Sequence, residues 1–331
     1  MTGQIKTMLL ATAIAFAATL STVTAEAEPL KLRLSGESPA SGLDIMLIQR
    51  MADILKEKMG DDFEFELFHT EALGDEVVHM QQVRSGQIDV YPMGSDAVQL
   101  DTSWAFLDMP FLFKDRTVVA KVLDGEIGEE LRASMRKSAG LEVLAFGEIG
   151  FRQITNNVRP IVTPADFQGM KLRVPGSPTR MLTFETLGAT PVTMNFGEVY
   201  LALQNGTVDG QENPLADITA RSLHEVQKYI SISNHVYTPV TLVMNAAKYD
   251  SLTDEQKVLV KEAAQAAAEE MRALGTEKDK ELLAMLEAYE GVDLNEIDRA
   301  AFLEAAQPLY KEIGTIAGEA LAQKVLAAVK E

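Results

Sequence analysis

The sequence predicts an α/β fold in two lobes, with mixed sheets, a hinge between the lobes and a long C-terminal bracing helix. Three observations carry this. The chain has 331 residues, more than one hydrophobic core usually organises, so it divides into two. Its first ordered stretch alternates strand, helix and strand patterns, and such units build parallel sheets. Finally, Thr253-Asp254-Glu255-Gln256 forms a capping box that opens a helical pattern running towards Tyr289, long enough to touch both lobes.

The elements follow in order. Lys6 precedes an apolar run from Met8 to Leu20, and small residues continue to Ala27, the layout of a secretory signal peptide over residues 1–25, with cleavage after Ala25 or Ala27. Beyond it no apolar run is long enough to span a bilayer, so the mature chain is expected to be exported without stable membrane insertion. Leu30 to Leu34 alternates as a strand and Ser35-Gly36-Glu37-Ser38-Pro39 is a loop. A helix covers Gly42 to Met59, and Phe63 to Phe68 alternates again. Gly74-Asp75-Glu76 opens a helix that Gly86 closes. Ile88 to Met93 is a strand with Gly94-Ser95 at its carboxyl end. Trp104 and Phe111-Leu112-Phe113 read as core.

Leu141 to Phe146 and Phe151 to Thr155 are strands separated by Gly147 and Gly150, which frame Glu148-Ile149. Glycines around so short a segment suit a hinge between lobes and place Arg152 at the cleft. Thr163-Pro164-Ala165-Asp166 starts a short helix. Met170 to Val174 alternates as a strand until Pro175 withdraws a backbone donor. Ser177 is then an N-cap with Pro178 at the first helical position, and Gly188 closes that helix. Ala189 to Met194 returns to the sheet, and Asn195-Phe196-Gly197-Glu198 starts another helix. Asn205-Gly206 turns into a strand over Thr207 to Gly210, with Asn213 beyond its end. Thr241 to Asn245 is a strand back to the first lobe. The long helix follows, with Gly275 as the place for a bend, and residues 299–330 are helical. The first lobe is expected from 28–149 with 239–278, the second from 150–238 with 279–331.

Composition narrows the function. Forty-nine acidic against 30 basic residues give a net charge of −19, which argues against nucleic acid and anionic membranes as partners. There is no cysteine, so no thiol nucleophile, disulfide or cysteine metal site. The histidines His69, His79, His224 and His235 lack zinc-ligand spacing, and neither a nucleophile elbow nor a phosphate loop is present. An enzyme, a metal and a cofactor are therefore not expected. Asp75-Glu76, at a helix start beside the cleft, can cap the helix or face a ligand. Arg173 is the main candidate: it lies near the carboxyl end of a strand with a helix N-terminus just beyond, where a guanidinium completes an anion site. Alone, such an arginine is more often an ion-pair residue.

Six segments occur together in order: Leu73-Gly74-Asp75-Glu76; Ser85-Gly86-Gln87-Ile88-Asp89; Phe151-Arg152-Gln153; Gly169 to Pro175; Phe196 to Gln204; and Val208 to Pro214. Across nearly the whole mature chain they resemble the DctP-type substrate-binding proteins of tripartite ATP-independent periplasmic (TRAP) transporters. The resemblance implies a two-lobed periplasmic binding protein fold (a Venus flytrap) that closes on a small organic acid and delivers it to TRAP membrane subunits. It implies a carboxylate salt bridge from Arg173, help from Arg152, a hydrogen bond from Asn213 and packing by Phe196. Ser35, Glu76 and Gly94-Ser95 match positions that line the first-lobe side in some members.

Three departures bear on the ligand. Sialic-acid binders carry a larger acidic residue where Gly94 falls, and the ectoine branch has tryptophan where Lys171 and Leu172 flank the anchor. Members that hold 2-oxo acids through a metal show Glu-Trp near Glu212-Asn213. A C4-dicarboxylate, a uronate or another sugar or hydroxy acid remains. The competing classes are a binding protein that feeds a sensory receptor and a periplasmic enzyme acting on a carboxylate.

Overall fold

A computed structural model describes residues 28–330; the expected signal peptide lies outside the described residues. The strands are β1 (Leu30–Ser35), β2 (Phe63–Phe68), β3 (Val90–Met93), β4 (Leu141–Phe146), β5 (Gly150–Asn156), β6 (Lys171–Val174), β7 (Thr190–Thr193), β8 (Gly210–Pro214), β9 (Tyr229–Ile232), β10 (Tyr237–Thr238), β11 (Thr241–Asn245) and β12 (Asp293–Glu296). They form two sheets. The first has the order β2-β1-β3-β11-β4, and the second β12-β9-β5-β8-β6-β7 with β10 paired to β5.

In the first sheet β1 pairs in parallel with β2 and β3, as the opening βαβ unit requires, and β11 enters antiparallel between β3 and β4. Alternation in β1 works as the sequence predicts: Leu30, Leu32 and Leu34 are buried, while Lys31 and Arg33 face solvent and pair with Glu64 and Glu66 on β2. The second sheet is mixed. β6 runs parallel to β7 and β8, and β5 runs antiparallel to β8 and β9. Two sheets, each with its own apolar core, make a two-lobed periplasmic binding protein fold.

The chain passes between sheets at β4–β5 and returns at β10–β11. These crossings run side by side: the Gly147 amide donates to the Val240 carbonyl (2.7 Å) and the Ile149 amide to the Thr238 carbonyl (3.2 Å). A side chain on Gly147 would meet Leu47 Cδ2 at 2.6 Å, and Gly150 has φ of 121°, a conformation open to glycine. Both glycines thus have a physical reason to stand in the crossing.

A third connection is the helix Asp254–Glu287, whose Thr253 capping box is present. At 34 residues it is about 50 Å long. Ala263, Ala267 and Met271 pack with Ile48, Met51 and Leu55 in the first core. Leu286 packs with Leu203, Leu215 and Ile230 in the second. The tail forms two helices, Arg299–Ala317 and Glu319–Ala328, separated at Gly318. It also serves both cores: Phe302 joins Phe167 and Phe184 on the second-sheet side, whereas Leu309, Ile313 and Val325 pack with Trp104, Leu131 and Met135.

One strand moves relative to expectation. Thr207 to Asp209 is not extended, because Asn205 Oδ1 accepts from the Thr207 amide (3.0 Å) and holds a turn. The strand is instead β8, which starts three residues later at Gly210 and puts Asn213 inside the ladder opposite Gln153. Helices Arg116–Leu123 and Glu126–Ala139 and strands β9, β10 and β12 add elements that the sequence reading left unassigned.

Candidate functional site

The carboxyl ends of β1, β3, β6 and β8 converge on a cavity between the two sheets, roofed by the β5 and β10 crossing strands. Arg173, Arg152, Asn213, Phe196, Glu76 and Ser95, six of the seven residues singled out from sequence, line this one cavity. Ser35 is the exception. It ends β1 fully buried, with its hydroxyl hydrogen-bonded to His79 Nε2 at 2.8 Å, so the pleat turns it under the cavity wall.

Arg173 is third in β6 and 2% exposed. Its Nε and Nη2 donate to the Met194 carbonyl at 3.1 and 2.8 Å, which aims the guanidinium. The Phe196 ring lies 5.3 Å from its carbon. Glu76 Oε1 is the nearest carboxylate at 3.8 Å from Nη2, beyond hydrogen-bond range. Burial pushes the Arg173 pKa down, and Glu76 only partly offsets this. Nη1 has no hydrogen-bond partner among the described residues, so the Nη1/Nη2 edge remains for a carboxylate. Asp75 caps the helix by accepting from the Val78 amide (2.9 Å), leaving Glu76 to face the cavity. The pair divides the two roles considered for it.

Arg152 has a different job from that of a free second anchor. Its Nε and Nη2 bind the Glu212 carboxylate, Nη2 also donates to Asn213 Oδ1 (2.8 Å), and Nη1 reaches Thr238 Oγ1 at 3.4 Å. Glu212 is fully buried and also accepts from Arg180 Nη1 at 2.9 and 2.8 Å, with His235 Nε2 at 3.0 Å. Arg180 Nη2 in turn holds Asp108 (2.6 Å). Burial alone would raise the Glu212 pKa, but Arg152 and Arg180 hold it well below the usual carboxylate range. Two arginines thus balance two acids, and Asn213 is positioned by Arg152 and by Gln211 Oε1 (2.6 Å).

Four further acids line the cavity beside Glu76: Glu37, Asp44, Asp96 and Asp217. Glu37, Asp96 and Asp217 lie just past the carboxyl ends of β1, β3 and β8, so a search for acids there could have found them; Asp44 stands in the first turn of the helix Leu43–Met59. Burial raises all five, and neighbouring acids push Glu37, Glu76 and Asp217 further, to about 8, about 7 and about 7. Arg180, Asp108 and His235 were also unassigned from sequence.

These shifts fix a pH dependence. Raised carboxylates bind more protons in the folded form than in the unfolded chain, so they cost stability as pH rises from about 4.5 to about 8. Glu212 acts oppositely: its contribution is present above the unfolded carboxylate value of about 4.3 and is lost below it. Ligand-free protein is therefore expected to melt highest at mildly acidic pH and progressively lower towards about pH 8.5. Calorimetric scans at three pH values check this, and a melting temperature that climbs across that interval contradicts it.

Comparisons with known proteins agree with this arrangement. Residues 38–315 match DctP, the bacterial extracellular solute-binding protein family 7. The chain is 36% identical over 277 residues to the 2,3-diketo-L-gulonate-binding periplasmic protein YiaO of Escherichia coli, covering 83% of this chain and 84% of that one. A TRAP periplasmic solute-binding protein of Roseobacter denitrificans with bound β-D-glucuronate superposes with a TM-score of 0.85 at 31% identity, covering 91% of this chain and 99% of the other. One from Sulfurospirillum deleyianum with bound succinate gives 0.86 at 27% identity, covering 91% and 99%. The chain belongs to the DctP family, the extracellular solute-binding proteins of TRAP transporters.

Proposed function

We propose that this chain is exported by its N-terminal signal peptide, captures a small organic acid through Arg173 and hands it to TRAP membrane subunits. The observation that carries this is the Arg173 guanidinium: buried between two lobes, aimed by the Met194 carbonyl, and, among the described residues, without a hydrogen-bonded carboxylate of its own. A planar fork in that state matches the two oxygens of a ligand carboxylate. Asn213 and Ser95 supply neutral hydrogen-bonding groups and Phe196 an apolar face. The cavity is a binding site rather than a reaction centre, since its strongest ion pairs are committed to one another. A thermal-shift screen against organic and sugar acids, followed by titration calorimetry, tests the proposal; a screen without a single stabilising acid rejects it.

Closure has its own residues. Arg221, next to the helix Leu215–Ala220, reaches the opposite wall. Its Nη2 donates to the Glu37 carbonyl at 2.8 Å, Nη1 lies 3.3 Å from Glu71 Oε1, and the guanidinium stacks 4.0 Å over Phe196. Asn195 Nδ2 donates across the cleft to Asp75 Oδ2 at 2.6 Å. The Arg221 contacts to Glu37 and Glu71 and the Asn195–Asp75 bond exist only when the lobes meet, so they favour the closed form that holds the acid. Arg221→Ala is expected to weaken binding by roughly ten- to a hundredfold through faster release, as for a lost charge-assisted hydrogen bond. Stopped-flow release measurements check this; an unchanged rate shows that Arg221 does not latch the cleft.

A further inference from the structure

We infer that capture of the acid draws one proton from solvent onto the Glu76 carboxylate, and that neutral Glu76 then donates a hydrogen bond to the ligand's carboxylate. This rests on the proposal that Arg173 anchors that carboxylate.

The position of Glu76 carries the inference. It is 7% exposed, lines the cavity, and sets Oε1 3.8 Å from Arg173 Nη2, beside the edge left for the incoming anion. Its Oε2 is buried without a hydrogen-bond partner among the described residues. An acid seated in the Arg173 fork therefore brings its own oxygens against those of Glu76. Two carboxylates that share a site do not both stay charged, and one proton between them turns repulsion into a short O–H···O⁻ hydrogen bond. The ligand also neutralises Arg173, the guanidinium that favours ionised Glu76.

The surrounding groups make Glu76 the acid that takes the proton. Burial, with Glu37 beyond β1 and Asp96 beyond β3, pushes its pKa up to about 7 against the pull of Arg173 and of its own amide. Asp44 and Asp217 add to the acidic side of the same wall, and Arg152, bound to Glu212, adds to the basic side. Glu37 accepts from the Tyr91 hydroxyl and Asp96 from Gln99 Nε2 (2.8 Å). Glu76 receives no side-chain hydrogen bond among the described residues, so nothing but Arg173 holds its charge from outside its own backbone. On the same helix Asp75 is the cap, and burial pushes the His79 pKa down, which keeps that ring neutral above its usual value. The sign follows. Below the ligand-free value Glu76 is neutral in both states and affinity is flat; above it a proton must be taken up, and affinity falls by up to about tenfold per pH unit.

The test is titration calorimetry on the intact mature protein with glucuronate, galactonate, pantoate and succinate, all ionised from pH 6.5 to 8.5, continued with whichever binds best. Paired titrations at pH 7.5 in HEPES and Tris, whose ionisation enthalpies differ, are expected to show uptake of roughly three quarters of a proton per ligand. Affinity is expected to fall roughly tenfold or more between pH 6.5 and 8.5. Glu76→Gln supplies an N–H donor without a proton to gain, so its affinity relative to wild type should rise roughly tenfold over the same interval. Glu76→Ala replaces it if the glutamine variant does not fold, its flat profile being the readout. No net uptake in wild type overturns the inference, as does a pH slope that survives in either variant. Arg173→Lys separates the two levels. Binding that is independent of pH yet lost in Arg173→Lys refutes only the proton coupling, whereas an acid bound equally by wild type and Arg173→Lys, or no bound acid at all, refutes the anchor as well.

Discussion

Arg173→Lys is expected to weaken acid binding by roughly two to three orders of magnitude, the size of effect seen when one partner of a buried, hydrogen-bonded charge pair is truncated. The charge is conserved, so geometry is what changes. In the wild type two guanidinium nitrogens are tied to the Met194 carbonyl, and that tether turns the remaining edge towards the cavity. An ammonium has one nitrogen: if it donates to Met194 it is displaced from the ligand, and if it meets the ligand it leaves the buried carbonyl unpaired. The flat cation face that lies 5.3 Å from Phe196 is lost as well. Burial already presses the Arg173 pKa down, and a lysine in the same place sheds its proton far more readily than arginine does. Fold stability should change little, because among the described residues no carboxylate is hydrogen-bonded to Arg173. Titration calorimetry on both proteins with the same acid decides the matter, and equal affinities would falsify the anchor role.

What made Arg173 a candidate was local: period-two alternation to Val174, a proline stop, and a Ser-Pro helix start; its role as anchor came from the family resemblance. The same kind of signal located Asp75, Ser177 and Thr253 as caps, and all three side chains accept the backbone amides expected of them. β8 was misplaced because Gly210–Pro214 is buried on both faces yet polar in sequence, so neither alternation nor an apolar run marked it. Its side chains are inward because they hold charges and hydrogen bonds rather than because they shed water. Ser35 shows the complementary limit. A resemblance can place a residue at the end of a strand, but one residue of pleat decides whether it faces the cavity or His79. The Glu212 network was illegible for a third reason: its members come from separate elements, and nothing in one chain segment announces a partner sixty residues away.

Glu212→Gln is expected to lower the melting temperature by on the order of 5–10 °C, from roughly 3–5 kcal/mol for a broken buried pair. Glu212 is the single carboxylate shared by Arg152, Arg180 and His235. Without its charge, Arg180 retains Asp108, while Arg152 keeps only carbonyl, amide and hydroxyl partners in a fully enclosed site. Because Arg152 also orients Asn213, the loss should reach the ligand as a smaller decrease in affinity than that of Arg173→Lys. The pH profile distinguishes loss of charge from loss of packing. Arg152 and Arg180 depress the Glu212 pKa, so wild-type protein forfeits this stabilisation as pH falls below the unfolded carboxylate value of about 4.3. The glutamine variant has no proton to take up, and its acid limb should be flatter while its neutral-pH stability is lower. Thermal scans of both proteins from acid to neutral pH read out the two effects together. Parallel profiles offset by a constant would mean that Glu212 fills space in the core without holding its charge there.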